Sequence, residues 1–361
     1  MIAALSLGVE EEYLVADAVT RRPIPAGAAI VDELSGKDFH TELSAAQTEF
    51  ATPVCADLAS LRRELHRGRT TLAEAARAHG ALLVASGTPP LGRPGPPPVT
   101  AKERYRHLVA AYGALAEDQG VCGCHVHVGV PDVDHAIRAA NHIRPWLPAL
   151  LVLSANSPFF DGRDTGHASW RTAIWSRWPV CGVPPRFRSA TAYEHLVERM
   201  VDAEVITDPG MVYFYVRPSR HVPTVEVRVA DVAATVEEAL LQAALTRALV
   251  STALVTKPKK DPPDIVLRAA CARAALAGLS GRCLDAASGR PCTGWDLVDR
   301  LVAHVRPALR DADDLGFVEH CLSWLRARGG GADRQRLVLR ERGDLRAVVD
   351  HLSVPVTGIS D

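Results

Sequence analysis

Residues 5–15 read LSLGVEEEYLV, and this stretch indicates what kind of β-sheet the chain builds. Side chains along a β-strand alternate between two faces, so residues two apart share a face. Apart from Glu11, one face of this predicted strand is apolar, with Leu5, Leu7, Val9, Tyr13 and Val15. The other face carries Gly8, Glu10 and Glu12. The pattern predicts a strand with one side in a core and two neighbouring carboxylates on the other.

Residues 123–130, GCHVHVGV, repeat this division. Cys124 and three valines share one face, whereas His125 and His127 project together from the opposite face. The glycines on either side of the histidines leave space around the two imidazole rings. A second predicted strand therefore has one apolar and one chemically active face.

Two more predicted strands, residues 212–217 and 224–231, alternate in the same way. In the first, Arg217 shares a face with two tyrosines. In the second, Glu226 and Arg228 lie opposite three valines. Both strands therefore add charged groups to a polar face.

A shorter candidate strand, residues 47–52, places Glu49 on a face with Gln47 and ends before Pro53. If these strands form one sheet, its polar face collects Glu10, Glu12, Glu49, His125, His127, Glu226, Arg217 and Arg228. Carboxylates packed so closely repel one another, or have raised pKa values, unless a cation neutralises them. Oxygen ligands suit Mg²⁺ or Mn²⁺, and histidine suits Mn²⁺ better. The sequence thus predicts a metal-and-phosphate site rather than a zinc hydrolase.

Apolar residues recur at helical spacing between the predicted strands, at 58–79, 104–119, 135–153, 193–202 and 235–255, and through most of 265–352. Alternating strands and helices also suit a parallel α/β sheet. However, parallel strands buried on both faces read as continuous apolar runs, and these strands do not. We predict an α+β fold with an antiparallel sheet, in which a single catalytic domain spans 1–361. Within it, a mixed body (1–256) precedes a helical C-terminal portion (264–361).

Composition restricts the class of protein. A formal net charge of −1 over 361 residues argues against a sequence-independent nucleic-acid binder or a binder of acidic membranes. The N-terminal apolar run lacks a basic flank and is followed by three acids, which indicates neither a signal peptide nor a membrane span. Eight scattered cysteines form no C-x-x-C pair. We expect a soluble, cytoplasmic protein without a disulfide scaffold, and a homo-oligomer.

The sequence contains no G-x-x-x-x-G-K-[ST], G-x-G-x-x-G, G-x-S-x-G or H-E-x-x-H motif. Nucleotide binding is therefore not derivable from a loop motif. On the residues alone, two other functions remain open. One is a metal-dependent amide hydrolase that activates water on the same polar face, and the other is a non-catalytic nucleotide or amino-acid sensor.

Several motifs together resemble the type 2 glutamate-cysteine ligases, also called carboxylate-amine ligases. They are GVEEEY (8–13), TEFATPV (48–54), CGCHVHVGVPD (122–132), SANSPFFDGRDTGHASWRT (154–172), RPSRHVPTVEVRVAD (217–231) and GGADRQR (330–336). The resemblance implies a glutamine-synthetase-like fold, in which a curved sheet carries metal ions between ATP and an amino-acid carboxylate.

The resemblance also implies roles for individual residues. Metal ligands would be Glu10, Glu12, Glu49, His125 and Glu226. Arg171 and Arg228 would take part in catalysis, and Arg171, Arg217 and His127 would contact the nucleotide. ATP would phosphorylate a small-molecule carboxylate, and an amine would attack the acyl phosphate. Such chemistry depends mainly on positioning and on charge neutralisation by metals and arginines.

One segment departs from the family pattern. Where the family carries Asn, Trp and Arg in a short helical motif, this chain has Ala270, Ala272 and Leu276 within residues 269–281. A site that loses hydrogen-bonding groups loses discrimination for polar substrates. We therefore expect specialisation on an acid or amine other than the glutamate and cysteine pair, unless this helix only packs.

Overall fold

The computed structural model describes residues 5–92, 95, 98–117, 119–257 and 262–356. Its strands are β1 Leu7–Asp17, β2 Phe39–Thr41, β3 Gln47–Ala51, β4 Ala81–Val84, β5 Gly123–Gly129, β6 Phe159–Phe160, β7 Arg163–Asp164, β8 Cys181–Gly182, β9 Tyr213–Phe214, β10 Val216–Pro218, β11 Thr224–Asp231, β12 Arg282–Asp285 and β13 Arg290–Thr293. Its α-helices are α1 Gly27–Asp32, α2 Leu58–Ala78, α3 Glu103–Tyr112, α4 Ala114–Glu117, α5 Val133–Ile143, α6 Leu147–Ser154, α7 Trp170–Trp175, α8 Ala190–Asp202, α9 Val236–Val255, α10 Asp264–Ala277, α11 Gly294–Asp311, α12 Leu315–Arg328, α13 Gly331–Arg342 and α14 Leu345–Leu352.

The main sheet has seven strands in the order β10-β11-β5-β1-β3-β2, with β4 paired to the far end of β1. All of its pairings are antiparallel. The registers place Glu10 opposite His125, Glu12 opposite Glu49 and His127 opposite Glu226. Residues opposite each other project from the same face, so the register joins the predicted polar face. The predicted α+β class with an antiparallel sheet is confirmed.

Helices cover the apolar face of the sheet. The largest buried cluster joins valines of β5 and β11 to α5, α6 and α9, and extends into α11 and α12 of the C-terminal portion. Helix α9 is long and apolar enough to span a membrane, but 83% of its most apolar window is buried inside the protein. Its position is that of a core helix. Both predicted portions of the chain contribute to this one cluster.

Three predicted elements differ from the structure. Helix 104–119 breaks at Gly113, whose φ of 54° favours glycine. Helix 135–153 is divided into α5 and α6 by the turn Arg144–Trp146, where Pro145 lacks an N–H. Strand 212–217 is two short strands in different sheets, and Tyr215 between them packs into the main core.

Between residues 264 and 352 the helices are interrupted by turns and by one hairpin, β12–β13, which the sequence pattern did not predict. Two proline-rich segments, TPPLGRPGPPPV (88–99) and KPKKDPPD (257–264), predict a surface loop and a boundary between the two portions, and both lie partly outside the described residues. All eight cysteines are free thiols, in line with the expected absence of a disulfide scaffold.

Candidate functional site

A cleft of about 610 Å³ lies over the polar face of the sheet. Its floor carries Glu10, Glu12, Glu49, His125, Arg217 and Arg228, which are all residues that the strand phases predicted. Glu42 completes the floor from the loop after β2. A larger cavity of about 1220 Å³ lies elsewhere, between α5, α11 and the β12–β13 loop. None of the predicted site residues is among the described residues that line it, so the chemistry belongs to the smaller cleft.

Acidic and imidazole side chains at this face form three groups whose ligand atoms lie within 4.8 Å of one another, although two members, His127 and Glu226, are not among the described residues that line the cleft. The groups are Glu10 with His127 and Glu226, Glu10 with Glu49 and His125, and Glu12 with Glu42 and Glu49. The strand alternation thus brings the four predicted acids onto one face. It also groups His127, predicted to contact nucleotide, with two carboxylates.

The two histidines bind Glu10 from β5. Glu10 Oε2 lies 3.1 Å from His125 Nδ1, and Glu10 Oε1 lies 3.2 Å from His127 Nε2. His127 Nδ1 lies 2.9 Å from Thr224 Oγ1, which fixes the orientation of the ring. The buried Nε2 atom of His125 has no hydrogen-bond partner among the described residues, and its distance to Glu12 Oε1 is 3.8 Å. Buried polar atoms without partners are rare in proteins, and they indicate a missing ligand here.

The pKa values of the acids on this face are shifted in opposite directions. Burial raises the pKa of Glu10, but hydrogen bonds to His125 and His127 outweigh it and hold the pKa well below its ordinary value. Burial, reinforced by the charge of Glu12, raises the pKa of Glu42 to about 8. Burial and the charge of Glu42 raise the pKa of Glu49. The charge of Arg228 does not offset burial and mutual repulsion in the group around Glu42, and this is the environment that a divalent metal stabilises.

Glu226 is held by two arginines. Arg217 Nε donates to Glu226 Oε2 at 2.8 Å, and Arg228 also binds this carboxylate. Burial raises the pKa of Glu226, but the charges of these two guanidinium groups lower it well below the ordinary range. Arg217 also donates to the carbonyl of Val212 at 2.7 Å. Glu226 is therefore ionised, and two fixed positive charges lie beside the acids.

Arg171 lies one layer below the cleft surface and is only 1% exposed. Its guanidinium is 3.4–3.5 Å from the carbonyl oxygen of Arg228, and it lies 5.8 Å from the centre of the Trp175 ring. A Cβ atom on Gly123 would lie 2.3 Å from Arg171 Nη2, so glycine permits this close approach. Arg171 therefore supports Arg228 from beneath, a position that the sequence did not indicate.

Helix α7 is anchored by a buried carboxylate. Ser169 caps the helix by accepting from Thr172 N, and its hydroxyl donates to Asp231 Oδ1 at 2.8 Å. Ser157 Oγ donates to Asp231 Oδ2 at 2.6 Å and accepts from Arg171 N at 3.0 Å. Asp231 at the end of β11 thus holds Arg171 in place through two serines.

Aromatic side chains form one wall of the cleft. Trp175 and Trp178 pack against Tyr213 with ring centroids 4.6 and 5.4 Å apart, and Tyr105 lies nearby on α3. Arg104 of the cleft wall is paired with Asp208 at 3.0 Å. This wall comes from α3, from α7 and the turn after it, and from β9, and sequence periodicity gave no signal for it.

Comparison with known proteins gives the family. The model of "Glutamate-cysteine ligase family 2(GCS2)" matches residues 6–351. The chain belongs to the glutamate-cysteine ligase family 2. A Saccharopolyspora erythraea protein named as glutamate-cysteine ligase 2-1 is 50% identical over 352 residues, which cover 97% of this chain and 94% of that protein. A Salinispora arenicola protein named as glutamate-cysteine ligase 2 is 46% identical over 360 residues, with 98% and 95% coverage.

Solved structures share the fold of this ligase. Francisella tularensis glutamate-cysteine ligase in complex with AMP superposes with a TM-score of 0.73 at 14% identity, covering 97% of this chain and 88% of that one. A bifunctional glutathione synthetase from Pasteurella multocida gives 0.69 at 17% identity, covering 96% and 51%. The family membership makes this chain an ATP-dependent carbon–nitrogen ligase of the glutamate-cysteine ligase type.

Proposed function

We propose that this ligase phosphorylates a small-molecule carboxylate with ATP and joins the resulting acyl phosphate to an amine, using divalent metal ions in the cleft. The observation that carries the proposal is the set of three acid and histidine groups, each within 4.8 Å, beside the arginine pair on the sheet. Hard divalent ions prefer such oxygen-rich sites, and phosphoryl transfer needs charge neutralisation around the phosphates.

The donor set fits Mg²⁺ or Mn²⁺. The candidate ligands are the groups of Glu10, Glu12, Glu42, Glu49 and Glu226 with His125 and His127. The unpaired Nε2 atom of His125 and a carboxyl group with a pKa of about 8 are the features that a bound cation would satisfy. When bound, the metal would neutralise phosphate charge and polarise the transferred group.

The chain's own side chains would position the reactants. Arg217 and Arg228 present guanidinium groups that match phosphate or carboxylate oxygens in two-point contacts. Arg171 fixes Arg228 from below through its carbonyl oxygen. The wall of Trp175, Trp178 and Tyr213 excludes water from one side of the cleft, which limits hydrolysis of a reactive acyl phosphate.

The substrates are proposed to be an amino acid or a related carboxylate, together with an amine. The relatives named above carry the names of glutamate-cysteine ligases, so glutamate and cysteine form the first pair to test. The decisive assay is ADP release from a panel of acids and amines in the presence of Mg²⁺ or Mn²⁺. Release that requires both an acid and an amine supports ligation.

Other results of this assay would contradict the proposal. Amide cleavage without ATP consumption would instead indicate the hydrolase. ATP binding with no ADP formed under any acid and amine combination would indicate a sensor. Metal-free protein with full activity would refute the role of the acid clusters.

A further inference from the structure

Within residues 7–15 of β1, Glu11 is the one charged residue on the apolar side, between Glu10 and Glu12, which face the cleft. Its side chain is fully buried. It accepts two hydrogen bonds from Arg69 of α2, from Nε at 2.9 Å and from Nη2 at 2.5 Å. The hydroxyl of Tyr13 donates to the same carboxylate at 2.5 Å. Glu11, the exception to the alternating pattern, therefore forms a buried ion pair with Arg69 directly behind the candidate metal ligands Glu10 and Glu12.

Arg69 also binds the chain just after β11. Its guanidinium donates to the carbonyl oxygens of Ala233 at 3.0 Å and of Thr235 at 3.4 Å. Strand β11 carries Glu226 and Arg228, and β5 separates it from β1 in the sheet. One buried guanidinium thus connects β1 to the segment that directly follows β11, and these two strands bring carboxylates to the Glu10, His127 and Glu226 group.

Stability alone does not account for such a pair. Removing two charges from water costs free energy, and apolar residues of similar volume often replace buried ion pairs without loss of stability. Here the pair is built into an otherwise apolar layer that includes Val9, Leu65 and Leu72. A two-point contact between a guanidinium and a carboxylate fixes the relative orientation of the two side chains, which an apolar contact does not.

We propose that Glu11 and Arg69 form a positioning pair that holds β1 and the end of β11 at the spacing at which their carboxylates bind a divalent metal ion. The inference rests on the proposed metal-dependent function. The pair lies behind the sheet and touches no reactant, so it acts through the backbone of Glu10 and Glu12. Residues that orient metal ligands typically change metal affinity about 10- to 100-fold when they are replaced.

The test measures Mn²⁺ affinity by titration calorimetry in the absence of nucleotide, for wild type and Glu11→Gln. The matched control is Asp314→Asn, which breaks another buried pair, Arg247 with Asp314 at 2.5 Å. The two pairs are buried to similar degrees, with side chains 7% and 0% exposed at Arg69 and Glu11, and 2% and 6% exposed at Arg247 and Asp314. Asp314 precedes α12 and is not among the residues that line the cleft.

Affinities are compared at a temperature at which circular dichroism shows each variant to be folded. We expect Glu11→Gln to bind Mn²⁺ at least about tenfold more weakly, and Asp314→Asn to bind it as wild type does. Both substitutions should lower the thermal midpoint, by about 5 °C. Wild-type affinity in Glu11→Gln, or an equal loss in Asp314→Asn, would overturn the positioning role.

A milder variant covers the case in which Glu11→Gln does not fold. Tyr13→Phe removes only the hydroxyl that donates to Glu11, and we expect it to weaken Mn²⁺ binding about threefold, the effect of one ordinary hydrogen bond. Unchanged affinity in a folded Tyr13→Phe would contradict the proposal. A wild-type protein that binds no Mn²⁺ would overturn the metal-dependent function itself, and with it this inference. Binding by wild type without a change in the variants would overturn the inference alone.

Discussion

Metal binding by this ligase is expected to release protons, because Glu42 keeps its proton at neutral pH in the metal-free protein. Burial and the charge of Glu12 raise the pKa of Glu42 to about 8. At pH 7, one unit lower, about nine-tenths of the molecules carry this proton. A carboxylate must be ionised to bind a metal ion. An ion that binds between Glu12, Glu42 and Glu49 therefore displaces at least about one proton, because the pKa of Glu49 is raised as well.

The direction of the pH dependence follows from the same shift. Below pH 8 the proton competes with the metal ion, so affinity should rise about tenfold for each pH unit from 6 to 8 and then level off. The folded metal-free protein binds more protons at Glu42 than the unfolded chain does. Its stability should therefore fall as the pH rises from the ordinary carboxyl range towards 8, and added metal should offset this loss.

Titration calorimetry with Mn²⁺ at pH 7, in two buffers that differ in ionisation enthalpy, counts the released protons. Glu42→Gln, which is neutral at every pH, should release about one proton fewer and bind more weakly. Glu341→Gln on exposed α13 is the matched control and should behave as wild type. Measurable binding with no proton release from wild type would refute the reasoning.

The other predictions concern the charged groups around the cleft. Glu226→Gln keeps the side-chain volume but removes the charge that pairs with Arg217 and Arg228, so turnover measured by ADP release should fall about 10- to 100-fold, while calorimetry shows a thermal shift of a few degrees. Near-normal turnover would make Glu226 structural. Arg171→Lys should lower turnover by a similar factor, because an ammonium cannot reproduce both guanidinium contacts to the Arg228 carbonyl. A wild-type turnover and Michaelis constant would contradict this role. EDTA should abolish ADP release, and Mg²⁺ or Mn²⁺ should restore it.

Strand periodicity predicted the centre of the sheet because each strand has one apolar and one polar face. Strands β1, β3, β5 and β11 appear close to their predicted limits and with the predicted phases. The β12–β13 hairpin was missed because neither strand alternates, and Pro291 argues against a strand. Proline is tolerated at position 291 because each strand of a two-stranded hairpin is an edge strand, where the N–H group that proline lacks need not pair with a neighbouring strand.

The alternation of side chains along strands also explains which parts of the cleft could be predicted from the sequence. Glu10, Glu12, Glu49 and Glu226 lie on strands, so their common face follows from their spacing. Glu42 lies in a loop, where spacing gives no direction, and its place beside Glu12 depends on the tertiary fold. The aromatic wall and the depth of Arg171 depend on helix packing in the same way.

The residues of helix α10 from which we predicted an unusual substrate do not line the cleft. Ala270 packs in a small apolar cluster with Leu267 and Ala286, whereas Ala272 and Leu276 face outward. None of the three is among the residues that line the cleft. The helix reaches the site through the carbonyl of Ala275, which accepts the N–H groups of Ala168 and Ser169 at 2.9 Å, just before α7.

Substitutions in α10 should therefore act on the placement of Arg171, and so on turnover, rather than on the choice of substrate. We expect Ala272→Asn to leave the Michaelis constants for acid and amine unchanged, because this side chain is exposed and lies away from the cleft. Specialisation on another acid or amine stays a prediction, and its physical basis would have to come from residues of the cleft itself. If Ala272→Asn changed the preferred acid or amine in the ADP-release panel, α10 would have to reach the substrate in a conformation different from this one.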